Sequence, residues 1–152
     1  MNDIDVINHL FSGGFNGVLG MKVTEWSLGY VKARMEISEQ HLNPLGRVHG
    51  GVYCSILDMA CGLCGNYCTV DGNMRSMVTV SLTTSFVGKP SGKILWIEGQ
   101  QISGGRSIFT SNATIKDDEG NLVAHATGTF KWGKGSHLPE GVPIKEGSEF
   151  NV

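Results

Sequence analysis

The chain has 152 residues and a mass of 16.3 kDa, which suits one domain burying roughly two-thirds of its unfolded surface and leaves no room for two independent cores. A net charge of −2 and a pI of about 6.2 give no electrostatic reason to bind nucleic acid or an acidic membrane. Charged residues make up only 17%, below the average of about 25%, which points to surface hidden by self-association.

In chain order, Ile4, Val6, Ile7, Leu10 and Phe11 predict a short amphipathic helix over 2–11, with Asn2 or Asp3 as N-cap and Ser12-Gly13-Gly14 as its end. No basic stretch leads into an apolar one there, and no run approaches about 18 apolar residues, so a cytoplasmic protein with reduced thiols is expected. Residues 18–37 predict two strands, 19–26 and 29–37, turned at Leu28-Gly29. In the second, Val31, Ala33, Met35 and Ile37 alternate with Lys32, Arg34 and Glu36, the pattern of a half-buried strand. Residues 38–48 read as a loop around Asn43-Pro44 and Gly46. Gly50 to about Tyr67 is the one long helix candidate. Four strands follow, over 77–87, 93–103, 106–116 and 121–132, punctuated by Ser91-Gly92, Gly104-Gly105 and Glu119-Gly120, and they predict an antiparallel meander. Residues 133–152 read as a loose tail. The expected organisation is a helix and turn over 1–14, a domain over 15–132 and a flexible tail over 133–152. The order of elements implies an α+β layer, one long helix buried on the concave face of one antiparallel sheet.

At 100° per residue, Cys54, Leu57, Cys61, Cys64 and Cys68 fall in one stripe of the helix. Redox pairs prefer a helix N-terminus, and Cys61-Gly-Leu-Cys64 lies more than two turns in. One straight helix rarely converges four ligands on zinc. Core packing of small apolar thiols is the better reading, with no metal. A second stripe holds Gly51, Ser55, Asp58, Gly62 and Gly65, one carboxylate among small residues, where another backbone or a slender ligand could approach closely.

The densest polar cluster at an element boundary is Asn43-Pro-Leu-Gly46-Arg-Val-His49-Gly50-Gly51, followed by Asp58. Gly50 and Gly51 open the helix, where unsatisfied N–H groups carry a positive partial charge and can receive a carbonyl oxygen as charge develops on it. Asp58, two turns on, could activate a water. These parts suit hydrolysis of an activated acyl bond. No Gly-x-Ser-x-Gly and no zinc-binding His pair is present.

The segment resembles the hotdog-fold acyl-CoA thioesterases of the PaaI-like type, through Asn43, Gly46, His49-Gly50-Gly51 and Asp58 nine residues after His49. The resemblance extends to the strand TVSLTTSFVGKP, to Gly104-Gly105-Arg106-Ser107 and to the closing AHATGTFKW, about residues 15–132 in all. It implies a hotdog fold, a sheet wrapped around one long central helix, and a homodimer with a continuous sheet, often paired into a tetramer, with sites at the dimer interface. It implies that the Gly50 N–H and Asn43 polarise a thioester carbonyl while Asp58 of the other subunit acts as general base or nucleophile. Thr79 would help hold the water, and His49 would support the loop. Gly51 would line the substrate site, and Gly105, Arg106 and Ser107, with Lys89, would contact coenzyme A, which enters as part of the substrate and not as a cofactor. The turn between Tyr67 and Met77 is a few residues longer than this resemblance leads one to expect. The rival readings are a hotdog hydroxyacyl dehydratase or enoyl hydratase, and a non-catalytic acyl-CoA-binding protein.

Overall fold

A computed structural model describes residues 3–144. Helix α1 (Ile4–Leu10) opens under Asp3, whose carboxylate accepts from the Asp5 N–H at 2.8 Å. Where the sequence predicts a strand from residue 19, a second short helix, α2 (Gly14–Leu19), comes first, and β1 (Lys22–Ser27) begins after it. Two glycines within six residues argue against a helix by propensity. Tertiary contacts override that argument: Leu19 is buried, and the side chains of Gln40 and His41 donate to the Val18 carbonyl at 2.8 and 2.9 Å.

The chain continues through β2 (Tyr30–Glu36), a short 3-10 turn (Glu39–His41), α3 (Gly50–Asn66), β3 (Asn73–Met74), β4 (Met77–Phe86), β5 (Ile94–Gly104), β6 (Ile108–Lys116), β7 (Leu122–Trp132) and β8 (Val142–Pro143). Six strands form one antiparallel sheet in the order β1-β2-β5-β6-β7-β4. The predicted meander therefore holds only for β5, β6 and β7. Strand β4 pairs with β7 at the far edge, and residues 87–93 cross the end of the sheet to bring β5 beside β2. Alternation shows which residues face inward and says nothing of which strand is the neighbour.

Helix α3 lies across the inner face. Its Ile56, Leu57, Ala60, Cys61, Leu63 and Cys64 are buried against Val31, Ala33 and Met35 of β2, Leu95 and Ile97 of β5, and Phe109, Ile115 and Phe130 of β6 and β7. The approach is close: at Gly99 a Cβ would stand 2.8 Å from the Ala60 carbonyl oxygen. Indole N–H groups fix the C-terminal half of the helix, Trp26 to the Leu63 carbonyl at 2.8 Å and Trp132 to that of Gly65 at 3.4 Å.

The expected loose tail is, as far as Ile144, folded back. Buried Arg75 donates to the carbonyls of Ser136, Tyr67 and His137 at 2.8, 3.0 and 3.2 Å, and its guanidinium lies 5.1 Å from the Trp132 ring centroid. Strands β3 and β8 pair, and Cys68 donates to the Glu140 carbonyl. The long connection after Tyr67 carries this anchorage. A composition poor in apolar residues predicts no packing because here one arginine and backbone carbonyls supply it. Residues 145–152 of the expected tail, and Asn2 as an alternative cap, lie outside the described residues. No described helix is long and apolar enough to cross a membrane.

Candidate active site

The loop before α3 is organised by Asn43. Its side-chain oxygen accepts from the N–H groups of Leu45 and Arg47 at 2.9 and 3.1 Å, and its own N–H donates to the Arg47 carbonyl at 2.7 Å. Gly46 closes the turn at φ 71°, a left-handed conformation that favours glycine. Only the Asn43 side-chain NH2 is left to meet a substrate.

His49 is the N-cap of α3. Its Nδ1 accepts from the Gly51 N–H at 2.9 Å, and its carbonyl accepts from Val52. The Gly51 N–H, expected in the substrate site, is thus already engaged. The Gly50 N–H has no partner among the described residues and remains as the donor carrying the positive end of the helix. The sequence placed His49 as a support of the loop but did not show that its ring selects Gly50 over Gly51.

Asp58 stands on the half-buried face of α3. The Thr79 hydroxyl, reaching from β4, donates to its Oδ1 at 3.0 Å. Burial pushes the carboxyl above its ordinary range, and the Thr79 hydrogen bond acts in the opposite sense. Asp58 and Thr79 therefore come together within one chain. Gly50 does not join them: it lies eight residues before Asp58, about 12 Å along the helix axis.

The candidate coenzyme A contacts also separate. Lys89, with Arg47, Tyr53 and Phe86, lines a groove of about 560 Å³ beside the start of α3. Arg106 and Ser107 are exposed in the β5–β6 turn at the other end of the helix, where the Gly105 N–H donates to Ile108 and the Ser107 carbonyl accepts from Trp132. Arg47 is a residue that the sequence reading passed over, although it stands inside the Asn43–Gly51 segment as a cation two residues before the cap.

Cys61 and Cys64 are buried and Cys54 half-buried on α3, as expected of a packing stripe; Cys68, also buried, stands two residues past the helix end and leaves the stripe, its thiol donating to the Glu140 carbonyl. Burial raises the Cys61 thiol to about 12 and that of Cys64 to about 11, so neither is a ready nucleophile. Part of the glycine stripe packs closely against strands of the sheet. A Cβ at Gly62 would collide with Met77, and one at Gly65 with the Phe109 ring, both from the same chain's sheet.

A family model described as the thioesterase superfamily matches residues 45–124, just over half of the chain. A protein of Archaeoglobus fulgidus, named provisionally as an esterase, is 28% identical over 112 residues, 74% of this chain and 70% of that one. A solved thioesterase from Haemophilus influenzae aligns with a TM-score of 0.78 at 20% identity, covering 87% of this chain and 91% of that one. Zebrafish thioesterase superfamily member 2 aligns with a TM-score of 0.75 at 22% identity, covering 88% and 100%.

Proposed function

The chain belongs to the thioesterase superfamily and has its hotdog fold, and we propose that it hydrolyses an acyl-CoA thioester to a free carboxylate and coenzyme A. The observation that carries this reading is the carboxylate that burial has pushed up, Asp58, held by the Thr79 hydroxyl on a helix whose N-terminal donor, Gly50, is open. A general base works best with a pKa raised toward the working pH. In this mechanism the thioester carbonyl sits on the Gly50 N–H, helped by the Asn43 side-chain NH2. Asp58 takes a proton from a water held with Thr79 as that water attacks the carbonyl, or attacks the carbonyl itself to give a mixed anhydride that water then hydrolyses to the carboxylate and free Asp58. The tetrahedral intermediate collapses and the thiolate of coenzyme A leaves.

The 12 Å or so between Gly50 and Asp58 is too far for one carbonyl to meet both within a chain, since an oxyanion donor works at about 3 Å. A homodimer supplies the second half. Strand β4 is a ten-residue edge with β7 on one side only, and Val78 and Val80 are 63% and 57% exposed along it. Such an edge is a template for pairing with a second copy. Antiparallel pairing would bring Asp58 and Thr79 of one subunit toward Asn43 and Gly50 of the other. It would also bring Arg106 of one toward Lys89 of the other, giving the phosphates of coenzyme A two cations.

The test is release of thiol from a panel of acyl-CoA substrates, run with mixed dimers. Asn43→Ala and Asp58→Asn, each nearly inactive, are refolded together in equal amounts. Half of the dimers are then mixed, and in each of these one site carries both lesions and the other neither, so about a quarter of wild-type activity returns by counting under two-fold symmetry. No return, with mixed dimers seen by mass spectrometry, would overturn the shared site and leave hydrolysis standing. Hydration of enoyl-CoA without thiol release would overturn hydrolysis.

A further inference from the structure

Between Ser38 and His49 every residue but one is exposed or half-buried. The exception is His41, 2% exposed, and both nitrogens of its ring are engaged. The Ser38 N–H donates to Nδ1 at 3.0 Å, and Nε2 donates to the Val18 carbonyl at 2.9 Å. A backbone N–H can only donate and a carbonyl can only accept, so these partners fix the tautomer with its proton on Nε2. Val18 lies in the last turn of α2, where carbonyls have no partner within the helix, and the Gln40 side chain donates to the same oxygen at 2.8 Å. Packing alone does not ask for a histidine here: an apolar side chain would fill the space and make neither bond.

The backbone of His41 forms the base of the loop that carries Asn43. Its carbonyl accepts from the His49 N–H at 2.9 Å, Leu42 and Val48 form the next bridge, and the Asn43 N–H donates to the Arg47 carbonyl. Residues 41–49 are thus a short hairpin. Its tip, Pro44 to Arg47, is exposed, with Leu45 at 80%, so the hairpin is positioned from its base. At the other end of that base stands His49, the N-cap whose ring takes the Gly51 N–H and leaves that of Gly50 open. A continuous path therefore runs from α2 through the ring and carbonyl of His41 to His49 and the first turn of α3.

We infer that His41 is a positioning residue for the carbonyl-polarising donors: its ring ties the base of the Asn43 loop to α2 and so fixes where the Gly50 N–H and the Asn43 side-chain NH2 stand. It touches no reacting atom and acts through His49. The inference rests on the thioesterase reading for its consequence in turnover, and on the hydrogen bonds alone for the geometry of the helix start. An oxyanion donor works at about 3 Å from the developing charge, and a displacement of about 1 Å can cost about a hundredfold in rate. Helix α2 thus bears on turnover through one buried ring.

Two substitutions separate the two bonds of the ring. His41→Asn keeps an acceptor near the place of Nδ1 and loses the donor to Val18, whose carbonyl retains the Gln40 side chain. His41→Gln carries an amide N–H to the place of Nε2 and loses the acceptor, and the N–H of exposed Ser38 turns to water. Neither leaves a buried polar group alone. In thiol release from acyl-CoA, kcat should fall by about tenfold in His41→Asn with KM within about twofold of wild type, and His41→Gln should restore kcat to within about threefold. Asp117→Asn, in the turn after β6, controls for lost stability, and its kcat per folded molecule should match wild type. The second measurement needs no substrate. Exchange of the Gly51 amide hydrogen, bonded to His49 Nδ1, should quicken by about tenfold in His41→Asn and stay unchanged in Asp117→Asn. Unchanged Gly51 exchange in folded His41→Asn overturns the positioning role, and so does quickened exchange with an unchanged kcat. Quickened exchange, with no thiol released by the wild type from any substrate, keeps His41 as the tie of the helix start and overturns the thioesterase reading instead.

Discussion

Asp58 and Asp117 are both withdrawn from water, yet their carboxyls move in opposite directions. Asp117, after β6, is 2% exposed, and its oxygens accept from the N–H groups of Ser91, Glu119 and Asn121 and from the Asn121 side chain. These donors, Ser91 first, hold its carboxyl below the ordinary range. Asp58 has the Thr79 hydroxyl as its hydrogen-bond donor among the described residues, and burial holds its carboxyl above that range. The difference lies in the count of N–H donors. A turn that needs a fixed shape surrounds its carboxylate with them, and a site that needs a base leaves its carboxylate under-solvated.

The sharpest break of this comparison is Asp58→Asn, which keeps the shape and removes the charge. Thiol release should fall by about 10²–10⁴ in kcat, and activity within about threefold of wild type would sink the role. The same substitution should raise the Tm at neutral pH. A carboxyl whose folded pKa is raised favours the fold while protonated, and that contribution is lost as pH rises through the folded value.

Asp117→Asn should do the reverse. Its lowered pKa contributes stability above the unfolded carboxylate range, and that stability is lost as pH falls through the folded value. Loss of the charge should lower the Tm at neutral pH by about 5 °C and flatten the acid limb of stability, while activity per folded molecule persists, as thermal melts across pH and active-site titration would show.

The smallest effect sharpens the contrast from the side of the donor. Thr79→Val removes the one group that lowers the Asp58 pKa. kcat/KM should fall by about threefold to tenfold, and the acid limb of its pH profile should move to higher pH. An unmoved limb would show that Thr79 does not reach the ionising carboxylate in solution.

Much of this was legible in the chain. Strands expected over 29–37, 93–103 and 121–132 form over Tyr30–Glu36, Ile94–Gly104 and Leu122–Trp132, because alternation of apolar residues is a local property of an extended backbone with one buried face. The helix from Gly50 ends at Asn66, one residue before the expected Tyr67, and Leu57, Cys61 and Cys64 of the expected stripe lie on its core face, while Cys68 falls beyond its end. Helix α2 was hidden because its stability comes from Leu19 burial and from donors of Gln40 and His41, more than twenty residues away.

The chain by itself determined the elements, the inward side of each strand and the residues from which a site could be drawn, Asn43, His49, Gly50 and Asp58 among them. Periodicity, glycine and proline act through sterics within a few residues, and these are printed in the sequence. The tertiary structure alone decided that β4 lies at the far edge, that Met77 and Phe109 fill the room beside Gly62 and Gly65, and that Arg75 gathers the residues after β7. It also decided that His49 closes the Gly51 N–H and leaves the Gly50 N–H open, since one ring rotamer chooses between two adjacent donors. Those outcomes depend on partners distant in sequence, whose pairing is a property of the packed chain and of no segment within it.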